Sequence, residues 1–270
     1  MTQKETQFYD KYAKLCLAAV LQFVYEALAT GVPARVGDDR SEELADIFGK
    51  SRKICDMLRE LLNVFIDGTR VRAGLHIEVQ SQWTGNEIYR MAGYFGRIVE
   101  KMLYFFFVQV VVSLTPVPKG ITGVLAGFPN AFRIHVLDLT AFDGRRWLAL
   151  GIPEAAVFAI LSRVVERNLL IAGVVKILTA LPSRDERLFW LEICLGFANL
   201  RPDKHVFKME LLKEMQRVAP SDERRQELKI ITDGLWDDMR DAVYNEGREK
   251  GYDEGREKGY DEGREKGYDE

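Results

Sequence analysis

The chain has 270 residues, 47% of them hydrophobic and 29% charged, which is enough apolar material for one large domain or two small ones and excludes a wholly disordered chain. Its three cysteines, Cys16, Cys55 and Cys194, are odd in number, widely spaced and set in apolar surroundings, which excludes a disulfide-stapled scaffold and disfavours a cysteine-rich zinc site. The formal charge of -3 is uneven: residues 246–270 hold 10 acidic and 6 basic side chains, leaving 32 basic against 31 acidic before them, so no overall basic field drives contact with nucleic acid.

In chain order, residues 8–28 (FYDKYAKLCLAAVLQFVYEAL) predict a helix with an apolar face at positions 12, 15, 16, 19, 20, 23 and 27. Residues 71–80 (VRAGLHIEVQ) alternate, with Val71, Ala73, Leu75, Ile77 and Val79 apolar and the even positions not, so the segment predicts a strand. Asp67-Gly68 just before it is a hairpin signal, so the preceding segment should fold back antiparallel. That first arm, CDMLRELLNVF, also fits a helix, and propensity alone favours one. Residues 87–102 predict an amphipathic helix, residues 103–114 (LYFFFVQVVVSL) a buried strand and residues 132–139 (FRIHVLDL) another strand. At 12 residues, the apolar run 103–114 is too short for a membrane helix of about 20. No membrane association is expected.

Residues 153–217 read as helical, with Pro153 suited to a first turn and Ser183 a candidate N-cap, and helix is expected again over 221–245. The chain then carries EGREKGYD three times in register, with a glycine at every fourth position from 247 to 267. A solvated tail and an oligomerising helix, through which the chain would form homo-oligomers, are both open readings. The order of elements predicts an α/β core with a helical C-terminal extension. Three regions are expected: a core over 1–150, a helical subdomain over 151–245 and the repeat tail over 246–270. No basic leader followed by a cleavage site opens the chain, so a reducing cytoplasmic setting is expected.

The chemistry centres on the strand. His76, Glu78 and Gln80 point the same way, about 7 Å apart. Partners across the hairpin have residue numbers summing to 134 or 135, depending on whether the loop holds Ile66 to Gly68 or only Asp67 and Gly68. A sum of 134 puts Asp56 opposite Glu78 on one face. Two carboxylates so placed repel unless a cation lies between them, and Mg²⁺ or Mn²⁺ suits oxygen ligands. The competing reading makes Glu78 part of the solvent face of an antiparallel strand.

Residues 51–102, above all HIEVQSQ and RMAGY, resemble the recombination-promoting nuclease (Rpn) or putative-transposase family of the PD-(D/E)XK superfamily. The likeness rests on Asp56, Asp67-Gly68, His76 to Ser81, and Arg90-Met91 with Tyr94. It extends more loosely to Tyr9-Asp10, Lys14, FRIHVLDL and LGFANLR. It implies a restriction-endonuclease-like core, a mixed sheet flanked by helices, in a bacterial Mg²⁺-dependent DNA endonuclease of low sequence specificity, tied to recombination or mobile elements. It further implies Asp56 and Glu78 as metal ligands with the Val79 carbonyl. Gln80 stands where the superfamily has lysine, so it can orient water or a phosphate oxygen but adds no charge, and turnover should be slow. Asp67 is an alternative ligand, though a turn role also explains it.

Arg90 and Tyr94, four apart on one helix face, read either as phosphate contacts or as packing with a surface ion pair. Asp10 and Lys14 either complete the site or form an ordinary ion pair. His76 is a candidate general base or a structural histidine; His135 and His205 lack ligand-spaced companions. No Walker loop, GxGxxG or GxSxG occurs. The reading from a different class is a catalytically degenerate nuclease fold serving as a binding or assembly module.

Overall fold

The structure is a computed structural model that describes residues 3–28, 30–40, 56–84, 86–102, 104–121 and 134–218. The helix expected over 221–245 and the repeat tail lie outside the described residues. The chain divides into two units, Met1–Phe207 and Lys208–Glu270. The first is an α/β unit built on a mixed five-stranded sheet flanked by helices.

Helix α1 spans Gln3–Ala27, as its periodicity predicts. Its buried stripe, however, is Tyr9, Ala13, Cys16, Leu17, Val20, Leu21 and Val24, while Leu15 is exposed. The expected face is therefore turned. Residues 15–21 are apolar all round the helix, so spacing alone does not select a side; the choice is made by partners such as Gly196, whose missing Cβ admits the Phe8 ring. Strand β1, Arg35–Asp39, was not evident from alternation, because RVGDD is short, glycine-containing and at the sheet edge.

The first hairpin arm is a strand, β2, Asp56–Leu62, and not the helix that its propensity favours. It is paired on both sides, with β1 and with β5, Ala73–Gln80, so ladder bonds and burial override intrinsic preference. Between them lie the short strands β3, Phe65–Ile66, and β4, Thr69–Arg70, joined by Asp67 and Gly68 at φ 51° and 78°. Two left-handed residues make the type I′ turn that Asp-Gly favours.

Both registers left open by the sequence occur. Next to the turn, Phe65 faces Arg70 and Ile66 faces Thr69, a sum of 135, while from Leu61–Ala73 to Asp56–Glu78 the sum is 134. The extra residue is Asn63, left-handed at φ 58°, which forms a bulge between the two ladders.

Helix α2, Glu87–Met102, carries the chain from β5 to the parallel strand β6, Phe106–Ser113, and β7, His135–Asp138, lies parallel beyond it. The sheet order is β1-β2-β5-β6-β7. The central strand β5 thus joins an antiparallel half to a parallel half, and seven of its eight residues are buried. Gly74 is one of them: a Cβ there would lie 2.6 Å from the Tyr104 ring and 2.9 Å from Phe107.

The helical segment follows as α3, Gly144–Leu148; α4, Pro153–Leu161; α5, Arg167–Ala180; α6, Arg184–Ala198; and α7, Lys204–Val218, which begins in the first unit and ends in the second. Helix α4, buried from Ala155 to Leu161, is the hub against which α1, α3, α5 and α6 pack. Pro153 opens it, and the Ser183 hydroxyl caps α6 by accepting from the Glu186 N–H at 3.1 Å. The C-terminal end of α4 is closed by buried Arg201, which donates to the carbonyls of Ile160 at 2.5 Å and Ser162 at 3.0 Å and is itself held by Asp203 at 2.7 Å. A cation at a helix C-terminus opposes the partial negative charge there. Among the described residues no helix is long and apolar enough to cross a membrane.

Two outcomes test this architecture. Gly74→Ala should overpack the Tyr104–Phe107 contact and destabilise the first unit by about 1–3 kcal/mol, read as a lower urea midpoint at unchanged slope. For Asp203, burial raises the carboxyl pKa, but the Arg201 hydrogen bonds and charge, with Arg167, outweigh it and the net direction is down. A lowered folded pKa means stability that is present above the unfolded value of about 3.9 and lost as pH falls through the folded one. Asp203→Asn should therefore lower stability at neutral pH and flatten its decline in acid, measured by denaturation from pH 7 to pH 2.

Candidate active site

The site forms on the face of the sheet that α2 covers. Leu114 N donates to Gln80 O at 2.9 Å and Phe106 N to Arg72 O at 3.2 Å. The even-numbered residues of β5 therefore turn their backbone groups toward β6, and the odd-numbered ones turn theirs toward β2. Asp56 and Glu78, directly opposed in register, are in consequence a narrow, non-hydrogen-bonded antiparallel pair, with Cα atoms about 4.5 Å apart. The same alternation directs the Val79 carbonyl to the β2 side, next to the point where β2 begins at Asp56. The sequence expectation of an opposed Asp56–Glu78 pair matches this register.

Glu78 is not on a solvent face. It is 4% exposed, because α2 lies over it. Arg90, one turn into that helix, donates from Nη2 to Glu78 Oε1. Glu78 Oε2 is buried and has no hydrogen-bond partner among the described residues. Arg90 also donates to Gln80 Oε1 at 3.2 Å, and the Gln80 amide nitrogen donates to the Gln82 carbonyl and to Glu87 Oε1, the latter at 3.4 Å. Both ends of the Gln80 amide are thus engaged, and what Gln80 orients here is Arg90.

Two residues of this network escaped the sequence reading. Glu87 Oε1 accepts from the backbone N–H and hydroxyl of Thr84, each at 2.7 Å, which starts α2 with one half of a capping box. The Thr-x-x-Glu spacing at 84–87 carries that signal in the sequence. Gln109, the polar residue inside the apolar run, donates from Nε2 to the Met91 carbonyl at 3.1 Å and to His76 Nδ1 at 3.0 Å. Because a carbonyl only accepts, that bond sets the amide orientation and turns the amide nitrogen, a donor, toward His76 Nδ1.

The remaining candidates take different positions. Fully buried His76 meets the edge of Tyr94 at a 5.6 Å centroid distance and stacks near Phe107 at 6.4 Å, so both His76 and Tyr94 belong to the packing between α2 and the sheet. Asp67 sits in the hairpin turn, beyond the start of β5; the strand from Ala73 to Glu78 alone spans about 16 Å, which separates Asp67 from Glu78. Asp10 and Lys14 form an i,i+4 ion pair at 3.6 Å on α1. His135 is opposite Val110, on the other face of the sheet from Glu78. Among the described residues no group of three or more His, Cys, Asp or Glu side chains gathers as a metal cluster. No family model matches the chain, and neither a curated protein nor a solved structure is similar to it.

The Arg90–Glu78 pair is open to measurement. Removing the guanidinium strands a buried carboxylate, so Arg90→Ala should cost about 1–3 kcal/mol, a figure held below that of a fully buried pair because Arg90 is 40% exposed. Adding Glu78→Gln should recover part of the loss, giving a coupling of about 0.5–3 kcal/mol in a double-mutant cycle by urea denaturation.

Proposed function

We propose that the chain is a metal-dependent DNA endonuclease with a restriction-endonuclease-like core, of the recombination-promoting type that residues 51–102 resemble. The observation that carries this reading is the narrow register pair of Asp56 and Glu78, with a buried Glu78 oxygen lacking a hydrogen-bond partner. A buried polar atom without a partner is costly unless something binds it, and a hard divalent cation fits an oxygen-only set made of two carboxylates and the Val79 carbonyl. Mg²⁺ or Mn²⁺ held there supplies a bound water of lowered pKa and neutralises charge that builds on the scissile phosphate.

The residues of the chain divide the remaining work. Asp56 and Glu78 hold the cation, and Val79 adds its carbonyl. Arg90 supplies the positive charge that the superfamily takes from lysine at position 80, and contacts a substrate phosphate, with Tyr94 shaping the same helix face. Gln80 positions Arg90 and cannot accept the proton of an attacking water, which agrees with slow turnover. The near-balanced charge of residues 1–245 limits DNA contact to such local groups, and low sequence specificity is what the resemblance implies. We place the activity in the cytoplasm, in recombination or mobile-element biology, with the repeat tail as a route to homo-oligomers.

One observation favours the second reading, a degenerate nuclease fold acting as a binding or assembly module. Glu78 already has a protein cation, Arg90, and position 80 has no lysine. Plasmid nicking separates the two. Wild type should nick supercoiled DNA with Mg²⁺ or Mn²⁺ and not with EDTA, and Asp56→Ala, Glu78→Ala and Glu78→Gln should each lose at least about a hundredfold with unchanged circular dichroism. Undiminished nicking in the Glu78 variants would remove the enzyme reading of this site; no nicking by folded wild type under any metal would favour the module.

A further inference from the structure

The site contains a competitor for its own cation. Glu78 offers two oxygens: Oε1 accepts from Arg90 and Oε2 is buried without a hydrogen-bond partner. A relay of contacts holds the guanidinium in place: Thr84 caps onto Glu87, Glu87 accepts from Gln80, and Gln80 accepts from Arg90. The two members of the ion pair differ in freedom. The Arg90 side chain is 40% exposed and that of Glu78 is 5%, so the arginine has an outward path and the glutamate has none.

We propose that Arg90 is a built-in counter-ion that stabilises Glu78 in the absence of a divalent cation and turns outward to a substrate phosphate once one is bound. Gln80 is then the residue that positions Arg90 in the inward arrangement. A planar guanidinium suits both stations, since it matches a carboxylate and a phosphate oxygen pair equally well. While inward, it competes with the cation for the same carboxylate. A neighbouring cation stabilises a carboxylate by the equivalent of 1–3 pKa units, so the competition weakens apparent metal affinity by on the order of tenfold or more. This inference rests on the metal reading above.

The test is Mn²⁺ binding itself, with no DNA present. Mn²⁺ is titrated into the full-length chain and into Arg90→Gln, Arg90→Lys, Gln80→Ala and Glu78→Gln, with free Mn²⁺ followed by electron paramagnetic resonance and folding checked by circular dichroism. Arg90→Gln should bind Mn²⁺ about tenfold or more tightly than wild type. Arg90→Lys, which keeps a charge but not the fork that spans Glu78 and Gln80, should fall between them and carries the test if Arg90→Gln does not fold. Gln80→Ala should move affinity in the same direction by less, and Glu78→Gln should abolish binding. Equal or weaker binding by Arg90→Gln and Arg90→Lys would overturn the counter-ion role while leaving the metal site standing. A flat titration for every folded protein, wild type included, would overturn the metal reading and the counter-ion role together.

Discussion

A carboxylate buried beneath a helix, at the centre of the sheet, is the constraint around which this fold is arranged. Taking Glu78 out of water costs several kcal/mol unless its charge is compensated. The compensation comes from Arg90, on the helix that does the burying. The element that creates the problem therefore also supplies its solution, and neither α2 nor the even-numbered face of β5 is stable in this arrangement without the other. The odd-numbered face of the same strand, Leu75, Ile77 and Val79, is apolar and buried, so β5 cannot shift its register by one residue without placing Glu78 in that core.

Helix α2 reads the strand beneath it in order. Glu87 meets Gln80, Arg90 meets Glu78, Met91 offers its carbonyl to Gln109, Tyr94 meets His76, and Ile98 and Met102 close over Leu58 and Tyr104. Ascending residue numbers on the helix meet descending numbers on β5, the direction a crossover between parallel strands imposes. Contacts pass from charged, through amide and imidazole, to wholly apolar along about four turns. That gradient puts the polar chemistry at one end of the sheet and leaves the other end to hold it rigid. Gly74, which admits Tyr104 and Phe107, belongs to the apolar end.

What the sequence makes legible here is what local physics decides. Asp67-Gly68 specifies its own turn, the alternation of residues 73–80 specifies its strand, and α2 begins and ends where its amphipathic pattern says. The segment LRELL is different: nothing local makes it a strand, and it becomes one because β1 and β5 take both of its edges. The hairpin arithmetic shows the boundary between the two kinds of information. Counting from the turn gives 135, and only the bulge at Asn63, a left-handed residue that no periodicity announces, restores the sum of 134 that sets Asp56 against Glu78. The burial of Glu78 was equally out of reach, since a strand with polar even positions looks the same under water as under a helix bearing Arg90. Gln109 gave a weak signal, being polar in an otherwise apolar run, but its partner His76 is 33 residues away.

The charge count at the site bears on whether hydrolysis or mere binding is the better account. A fold that has abandoned catalysis is free to lose its buried carboxylate, since a neutral residue in place of Glu78 would relieve the need for compensation at once. It is equally free to add a second cation, and position 80, which points to the same face, is where one would fit. This chain has done neither: both carboxylate residues remain in opposed register, and position 80 is a neutral amide whose bonding serves Arg90. Glu78 is left with one buried oxygen, Oε2, that has no hydrogen-bond partner among the described residues, an acceptor that suits a hard cation. A buried acceptor without a partner has a stability cost and no benefit for a passive module, whereas in a metal-dependent hydrolase it would favour loading of the site.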